Sequence, residues 1–404
     1  MSDERRTARR LLALLVGVAS AGYVARVAVS VVAPQLMDEF GITQTQMGTI
    51  FSAFLLGYTV MQVPSGWLAD RLGTRALFGW ATIAWVVLTA ATASAHPLGA
   101  IPVLVVLMAL RALFGVAAAP TYPAAARAVA VTFPASLHGR ANGLVLASIG
   151  IGSALTPLLL VPLARASGWR AGLLLTSVLT ALAAVAWWTW APRGSERAAE
   201  RADDVPMGDA APWHTSRFWF LFASYALQGY VGYIFVFWFY SYLVQVRHFE
   251  LLQAAGITAL PWVATLIAIP AGGAVSDAAV QRWGATRGRR VVPMTALLTG
   301  AVALAVGARA SLDVVAVGAL IACTVLVLCT EGPFWAALNE IAGARSGTAG
   351  GLMNFGSNLG GLISPALTPW LASKIGWEGT LSATAALAAL SGLLWIGVRI
   401  GDRR

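Results

Sequence analysis

Two arginines lie inside apolar segments that are long enough to cross a bilayer. Arg26 lies in the segment from about residue 11 to 34, and Arg111 in the segment from about 100 to 126. An arginine at the centre of a membrane helix costs about 2.5–3.5 kcal/mol on insertion scales. Its guanidinium is a planar fork of donors that suits a carboxylate or a phosphate. Two such residues in one half of the chain predict a water-accessible cavity that holds an anion.

Polar neighbours of these arginines fall on the same predicted helix faces. Tyr23 is three residues before Arg26, and Tyr58 and Gln62 are four apart in the second apolar segment, so each pair shares a face. These groups are expected to orient the neutral part of a substrate. Two alternative roles stay open for the arginines: Arg26 could snorkel towards the interface, or the arginines could form a structural ion pair with Glu331.

The composition predicts an all-α membrane protein. Of 404 residues, 58% are hydrophobic and only 11% are charged, whereas soluble domains carry about 25% charged residues. Twelve apolar stretches of about 18 or more residues can each form a transmembrane helix. A polar linker over residues 191–216 separates them into two six-helix bundles, at residues 1–190 and 217–404.

The net charge of +10 follows the membrane topology. With a cytoplasmic N-terminus, 20 of the 27 Lys and Arg residues fall on the cytoplasmic side and 5 on the other side. The remaining two, Arg26 and Arg111, lie inside predicted spans. This asymmetry predicts that both termini are cytoplasmic. The basic charge is therefore no evidence for a nucleic-acid partner. We expect a monomer in the inner (plasma) membrane of a bacterium.

The two halves contain repeated segments. Segment 66–70 ends the second apolar stretch, and segment 273–277 ends the eighth, 207 residues later. Segments 143–157 and 351–365 each run from a glycine to a proline, at an offset of 208. Two matches at nearly one offset indicate a duplicated six-helix unit, and transporters built this way hold substrate near the midplane between their halves.

The loop after the second stretch reads Gly66-x-x-x-Asp70-Arg71-x-Gly73-x-Arg75. With this motif after the second of twelve spans, the chain resembles the major facilitator superfamily over essentially its whole length. In that family the motif links the second and third helices and stabilises one state of alternating access. The gating residues that the resemblance implies are Asp70, Arg71 and Arg75, with Asp277 and Arg282 in the second half.

Segments 54–67, 111–123 and 351–361 are more specifically similar to the anion:cation symporter family of organic-anion transporters. In that family, arginines of the first and fourth helices bind the substrate carboxylate and two tyrosines assist them. The substrate-binding residues that this resemblance implies are Arg26, Arg111, Tyr23 and Tyr58, with Trp335, Asn354 and Asn358 from the second half.

Two positions depart from the proton-coupled members of that family. Ala25 and Ala118 stand where those members carry acids, and the one deep acid of this chain is Glu331 in the tenth stretch. Because Glu331-Gly332-Pro333 has the same form as Ala118-Ala119-Pro120, we hypothesise that the proton-coupling acid has moved to the second half. Alternatively, Glu331 only neutralises the arginine pair, and the carrier is a uniporter or an anion exchanger.

The sequence thus predicts a secondary active transporter for a small organic anion such as a sugar-acid carboxylate, and not an enzyme. A drug exporter is disfavoured because a cation would face two arginines. A non-transporting sensor or membrane enzyme is disfavoured because no appended soluble domain or catalytic set is apparent. We expect no cofactor and no metal, since Cys323 and Cys329 are six residues apart and do not stack on one helix face.

Overall fold

A computed structural model of the chain describes residues 3–97, 101–133, 138–192, 212–342 and 346–400. These residues form α-helices joined by short connections and contain no β-strand. In the described residues the helices are α1 (Asp3–Phe40), α2 (Gln44–Leu72), α3 (Thr74–Ala93), α4 (Val103–Ala118), α5 (Thr121–Thr132), α6 (His138–Trp190), α7 (Ser216–Phe237), α8 (Phe239–Gln245), α9 (Leu251–Trp283), α10 (Ala285–Arg309), α11 (Asp313–Leu328), α12 (Glu331–Ala342) and α13 (Ser346–Leu394).

Nine helical stretches among the described residues are long and apolar enough to cross a membrane. Two of them contain a break, at Gly168 in α6 (φ 83°) and at Gly376 in α13 (φ 73°). Glycine adopts positive φ without the steric cost of a Cβ, so each break divides its stretch into two helical segments. With the 29-residue α2, this pattern agrees with twelve membrane helices, and the chain is an all-α membrane protein.

The chain divides into two compact units. The first comprises Met1–Val205 with Glu250–Ala259, and the second comprises Pro206–Phe249 with Leu260–Arg404. The predicted linker at 191–216 falls largely on residues 193–211, which lie outside the described part of the chain. Its boundaries, and those of the two six-helix bundles, therefore stay predictions.

Each unit has the same glycine joint between two consecutive helices. In the first unit, Gly73 (φ 76°) separates α2 from α3, and in the second, Gly284 (φ 78°) separates α9 from α10. The breaks at Gly168 and Gly376 form a second such pair. These matched joints support the duplication that the repeated sequence segments indicate.

Glycines bring α2 and α4 into direct backbone contact in the first unit. A Cβ added to Gly115 would lie 2.0 Å from the carbonyl oxygen of Phe54, and one added to Gly57 would lie 2.1 Å from the carbonyl oxygen of Ala112. Small residues permit this close approach, which membrane helices use because packing drives their association. The crossing holds the residues around Arg111 against the face of α2.

Glycines also permit direct backbone contact at two helix crossings in the second unit. A Cβ on Gly272 of α9 would lie 2.0 Å from the carbonyl oxygen of Cys329, at the end of α11. One on Gly360 of α13 would lie 2.1 Å from the carbonyl oxygen of Ala226 in α7. The α7–α13 contact aligns the aromatic face of α7 with the polar residues of α13.

Substitution of Gly115 by alanine is expected to destabilise the protein by about 1–3 kcal/mol, because the new methyl group overpacks the α2–α4 crossing. Thermal unfolding of the purified protein in detergent measures the effect. The matched control is Gly232→Ala on α7, where no described heavy atom outside the local helix backbone lies within 4 Å of the added Cβ. Equal melting temperatures for the two variants would contradict the tight crossing.

Candidate functional site

Arg26 lies among three aromatic rings in the first unit. The residue is only 7% exposed. Its Cζ atom is 5.0 Å from the ring centroid of Tyr23, 4.9 Å from that of Phe54 and 5.0 Å from that of Tyr58. At these distances the ring faces attract a guanidinium, more strongly where water is excluded. The structure thus brings together Arg26 and both tyrosines that the sequence associated with it.

Arg111 lies beside Arg26 and is more deeply buried, at 2% exposure. Its Cζ atom is 5.0 Å from the centroid of Phe54 and 4.7 Å from that of Phe114. Its Nη2 donates a hydrogen bond of 2.9 Å to the backbone oxygen of Arg26, which ties α4 to α1. Its Nε is buried and has no hydrogen-bond partner among the described residues. A buried donor of this kind is costly unless a ligand satisfies it.

Phe54 is the first residue of segment 54–67, but it was not among the predicted substrate-binding residues. Its fully buried ring contacts both guanidinium groups and stacks on Tyr58, with ring centroids 5.8 Å apart. The two guanidinium groups repel each other, and a shared ring face stabilises both charges without neutralising them. The available signal was the spacing of four residues between Phe54 and Tyr58, which places both on one face of α2.

Two more polar residues of the first unit belong to this neighbourhood. Gln62 is half-buried one turn after Tyr58 on α2. Tyr122, on α5, has its hydroxyl 3.5 Å from the Oγ of Ser148 and interacts electrostatically with Arg26. Tyr122 lies within segment 111–123, but no role was predicted for it from the sequence, because its proximity to Arg26 depends on how α5 packs.

Glu331 is the first residue of α12 and is held by two residues of α7. Its Oε2 accepts a hydrogen bond of 2.8 Å from the hydroxyl of Tyr225, and its Oε1 accepts one of 2.8 Å from Nε2 of Gln228. Both donors are buried and neutral. The ring of Trp335, one turn further along α12, lies edge-on to Tyr225 at 6.4 Å. Within the second unit, the carboxylate therefore has a fixed position.

Glu331 and Ala118 lie on opposite sides of the helix breaks in their respective units. Ala118 is the last residue of α4, before the helix break, whereas Glu331 is the first residue of α12, after a break. The two prolines that suggested the match differ in position. Pro120 precedes α5, whereas Pro333 is the third residue of α12. Proline is tolerated throughout the first helical turn, so its position did not fix the register.

Asn358 lies on α13 opposite α7. Its Oδ1 accepts a hydrogen bond of 3.0 Å from the hydroxyl of Tyr233, and its Nδ2 is buried with no partner among the described residues. Asn354, one turn earlier on α13, is half-buried. Gly361 permits this arrangement, since a Cβ there would lie 2.3 Å from the Tyr233 ring. The Asn358 amide is therefore a second buried donor that a ligand could use.

The predicted gating residue Asp277 pairs with Arg289, which the sequence did not single out. Nη1 of Arg289 donates to Asp277, and its Nη2 donates to Glu340 at 2.7 Å. Arg282 is the other predicted residue of this loop. Its Cζ atom lies 5.7 Å from the ring centroid of Trp283. Arg289 thus bridges α9 and α12, a long-range pairing that local sequence does not reveal.

Arg75, the predicted gating residue of the first half, is attached to the end of α6. Its Nη2 donates to the carbonyl oxygen of Trp188 at 2.6 Å, and its Nε donates to that of Ala191 at 3.2 Å. A cation is favourable at a helix C-terminus because unpaired carbonyls point there. The side chains of Asp70 and Arg71 lie outside the described part of the structure.

Metal-binding groups are not apparent in the described residues. No cluster of three or more His, Cys, Asp or Glu side chains occurs there. Cys323 and Cys329 are both free thiols. The chemistry of the site therefore rests on the arginines and their neighbours.

Replacement of Phe54 by leucine is expected to weaken binding of the anion about fivefold or more, because each buried cation–π contact contributes up to about 2 kcal/mol. Leucine keeps an apolar side chain but removes the ring face shared by both arginines. The measurement is a dissociation constant from ligand-dependent thermal shifts. The control is Phe78→Leu, a buried ring that packs on Trp85 and Trp187. Equal weakening in both variants would contradict the role of Phe54.

Comparison with known proteins relates this chain to one family and to proteins that are named as transporters. The family model described as Major Facilitator Superfamily matches residues 14–365. A probable sulfoacetate transporter of Cupriavidus necator is 29% identical over 413 residues, covering 96% of this chain and 95% of that protein. A hexuronate transporter of Bacillus subtilis is also 29% identical, covering 92% and 90%. A bacterial homolog of the human lysosomal transporter Spinster shares the fold, with a TM-score of 0.80 at 16% identity, covering 98% and 97%.

Proposed function

The chain belongs to the Major Facilitator Superfamily, and we propose that it is a secondary transporter that carries a small organic anion by alternating access. The observation that carries this proposal is the pair of buried guanidinium groups, Arg26 and Arg111, which share the Phe54 ring. Guanidinium groups bind carboxylates through paired, charge-assisted hydrogen bonds. The relatives named for sulfoacetate and hexuronate support a small carboxylate, sugar-acid-like or sulfonated, as the substrate.

In this proposal the first unit binds the charged end of the substrate. Arg111 supplies its buried Nε as a donor, and Arg26 supplies the second positive charge. Tyr23, Tyr58 and Gln62 orient the neutral part. The second unit contributes the residues Trp335, Asn354 and Asn358, and the buried amide nitrogen of Asn358 is the donor best suited to a substrate hydroxyl.

We assign the coupling role to Glu331. Two neutral donors hold its carboxylate in place, and a carboxylate in a membrane helix can take up and release a proton during a transport cycle. The alternative is a uniporter or an anion exchanger in which Glu331 has a structural role. A drug exporter is less favoured because two buried arginines repel a cation, and a sensor or an enzyme is less favoured because the relatives are named as transporters.

The topology that accompanies this function is a multi-pass protein of a bacterial inner membrane with both termini cytoplasmic. Two six-helix bundles, residues 1–190 and 217–404, alternate in exposing the substrate. The cytoplasmic residues Asp70, Arg71, Arg75, Asp277 and Arg282 stabilise one state, and Arg289 joins them through its pairing with Asp277. The protein acts as a monomer with the anion, and in the coupled case a proton, as its ligands.

Transport by purified protein in liposomes tests the function. A thermal-shift screen of sugar acids and sulfonated carboxylates first identifies ligands, because a ligand raises apparent stability as RT ln(1 + [L]/Kd). We expect saturable uptake of the stabilising anion. The matched control is Arg170→Gln, which removes an exposed arginine that pairs with Glu39. The proposal fails if no anion stabilises the protein and organic cations are transported instead.

A further inference from the structure

A separate cavity of about 670 Å³ lies within the second unit, where α7 begins and the described chain ends. Its wall is formed by Thr215, Ser216, Arg217 and Phe220 on one side and by residues between Leu390 and Arg399 on the other. None of these residues belongs to the proposed anion site, so the cavity has no role in the transport mechanism described above.

The basic residues of the cavity wall suit an anion. Arg217 and Arg399 both line the cavity, and Arg290 interacts electrostatically with Arg399. The Nε atom of Arg217 is buried and has no hydrogen-bond partner among the described residues. An unsatisfied buried donor is unfavourable unless an acceptor oxygen occupies the site.

The start of α7 adds backbone donors to the cavity wall. The first backbone N–H groups of a helix have no partner within it. Thr215, which precedes α7, makes no side-chain cap, and its hydroxyl donates to the carbonyl oxygen of Pro212 at 2.6 Å. A phosphate group would accept hydrogen bonds from these N–H groups and from the arginines together.

The cavity wall also contains exposed apolar side chains. Phe220, Leu393 and Ile396 line the cavity and are all exposed in the isolated chain. Gly397 lets the ring of Phe220 lie directly against the backbone, since a Cβ there would come within 2.4 Å of the ring. In a membrane protein such side chains face acyl chains. A free phosphate would use the basic residues alone, whereas a phospholipid would use both the basic and the apolar residues.

We propose that this cavity binds an anionic glycerophospholipid, with its phosphate on Arg217, Arg399 and the α7 N-terminus and an acyl chain along Phe220, Leu393 and Ile396. The basic loops predict that this end of the second unit faces the cytoplasm. Anionic lipids of the cytoplasmic leaflet attract basic residues there. The bound lipid ties the start of α7 to the end of the chain.

Binding of phosphatidylglycerol to the purified full-length protein tests this inference, measured by native mass spectrometry and by thermal shift against phosphatidylcholine. The double variant Arg217→Gln/Arg399→Gln is expected to bind phosphatidylglycerol about 25-fold more weakly, on the scale of two basic residues at an anionic surface. The control Arg10→Gln/Arg287→Gln removes the same charge from two exposed positions and is expected to bind like the parent.

Two further comparisons, together with the control pair, make the outcome decisive. The single variant Arg399→Gln changes an exposed side chain, and it should retain the parent's melting temperature in phosphatidylcholine while losing about fivefold in phosphatidylglycerol affinity. Equal loss in the control pair would show nonspecific attraction and overturn the site. Stabilisation by millimolar inorganic phosphate to the same extent as by lipid would overturn the lipid assignment.

Discussion

Replacement of Arg111 by glutamine is expected to lower uptake of the anion at low concentration by about 100-fold or more. Truncating one partner of a buried, hydrogen-bonded charge pair costs about 2–5 kcal/mol, much of it from the partner left unpaired. Glutamine also breaks the 2.9 Å hydrogen bond from Nη2 to the backbone oxygen of Arg26. Initial rates of uptake into proteoliposomes measure the effect.

Lysine at position 111 separates charge from geometry. It keeps the positive charge but loses the planar fork, so we expect uptake between those of the parent and the glutamine variant. The control Arg170→Gln should transport like the parent, because Arg170 forms an exposed ion pair with Glu39 and such pairs contribute little. Parent-like uptake by Arg111→Gln would exclude Arg111 from substrate binding.

Local spacing was sufficient to predict part of this site. Tyr23 and Arg26 are three residues apart on α1, and helical periodicity alone places them on one face. In the structure the Cζ atom of Arg26 lies 5.0 Å from the ring centroid of Tyr23. The location of Tyr58 beside Arg26 came from family resemblance. In the structure α4 links the two helices, because it crosses α2 at Gly57 and Gly115 and bonds to the Arg26 backbone through Arg111.

Long-range packing determined the rest. The partners of Glu331 are Tyr225 and Gln228, which lie more than 100 residues earlier on α7. Arg289 likewise donates a hydrogen bond to Glu340, which lies 51 residues later in the chain. A sequence pattern reports which residues share a helix face, but not which other helix that face contacts. The register of a helix break is equally hard to predict, because the similar patterns Glu331-Gly332-Pro333 and Ala118-Ala119-Pro120 do not show on which side of the break the first residue lies.

Substitution of Glu331 by glutamine is expected to abolish stimulation of uptake by a proton gradient. Glutamine is close to glutamate in shape and keeps a hydrogen-bonding side chain near Tyr225 and Gln228, but it cannot exchange a proton. An inward gradient of one pH unit can drive about tenfold accumulation per coupled proton. In liposomes, the parent should show this stimulation, and the variant should transport equally with and without the gradient.

Two further variants distinguish proton coupling from a structural role. Glu378→Gln removes an exposed carboxylate 3.8 Å from Arg309 and should leave the stimulation intact. Tyr225→Phe removes the 2.8 Å hydrogen bond to Oε2 of Glu331 but keeps the titratable group, so stimulation should persist with a shifted pH dependence. A different outcome is that uptake by the parent is the same with and without the gradient, while Arg111→Gln still abolishes uptake. The protein then binds anions as proposed but is a uniporter or an exchanger. Because the two sites lie in different units, their variants can fail independently, and each result bears on one role alone.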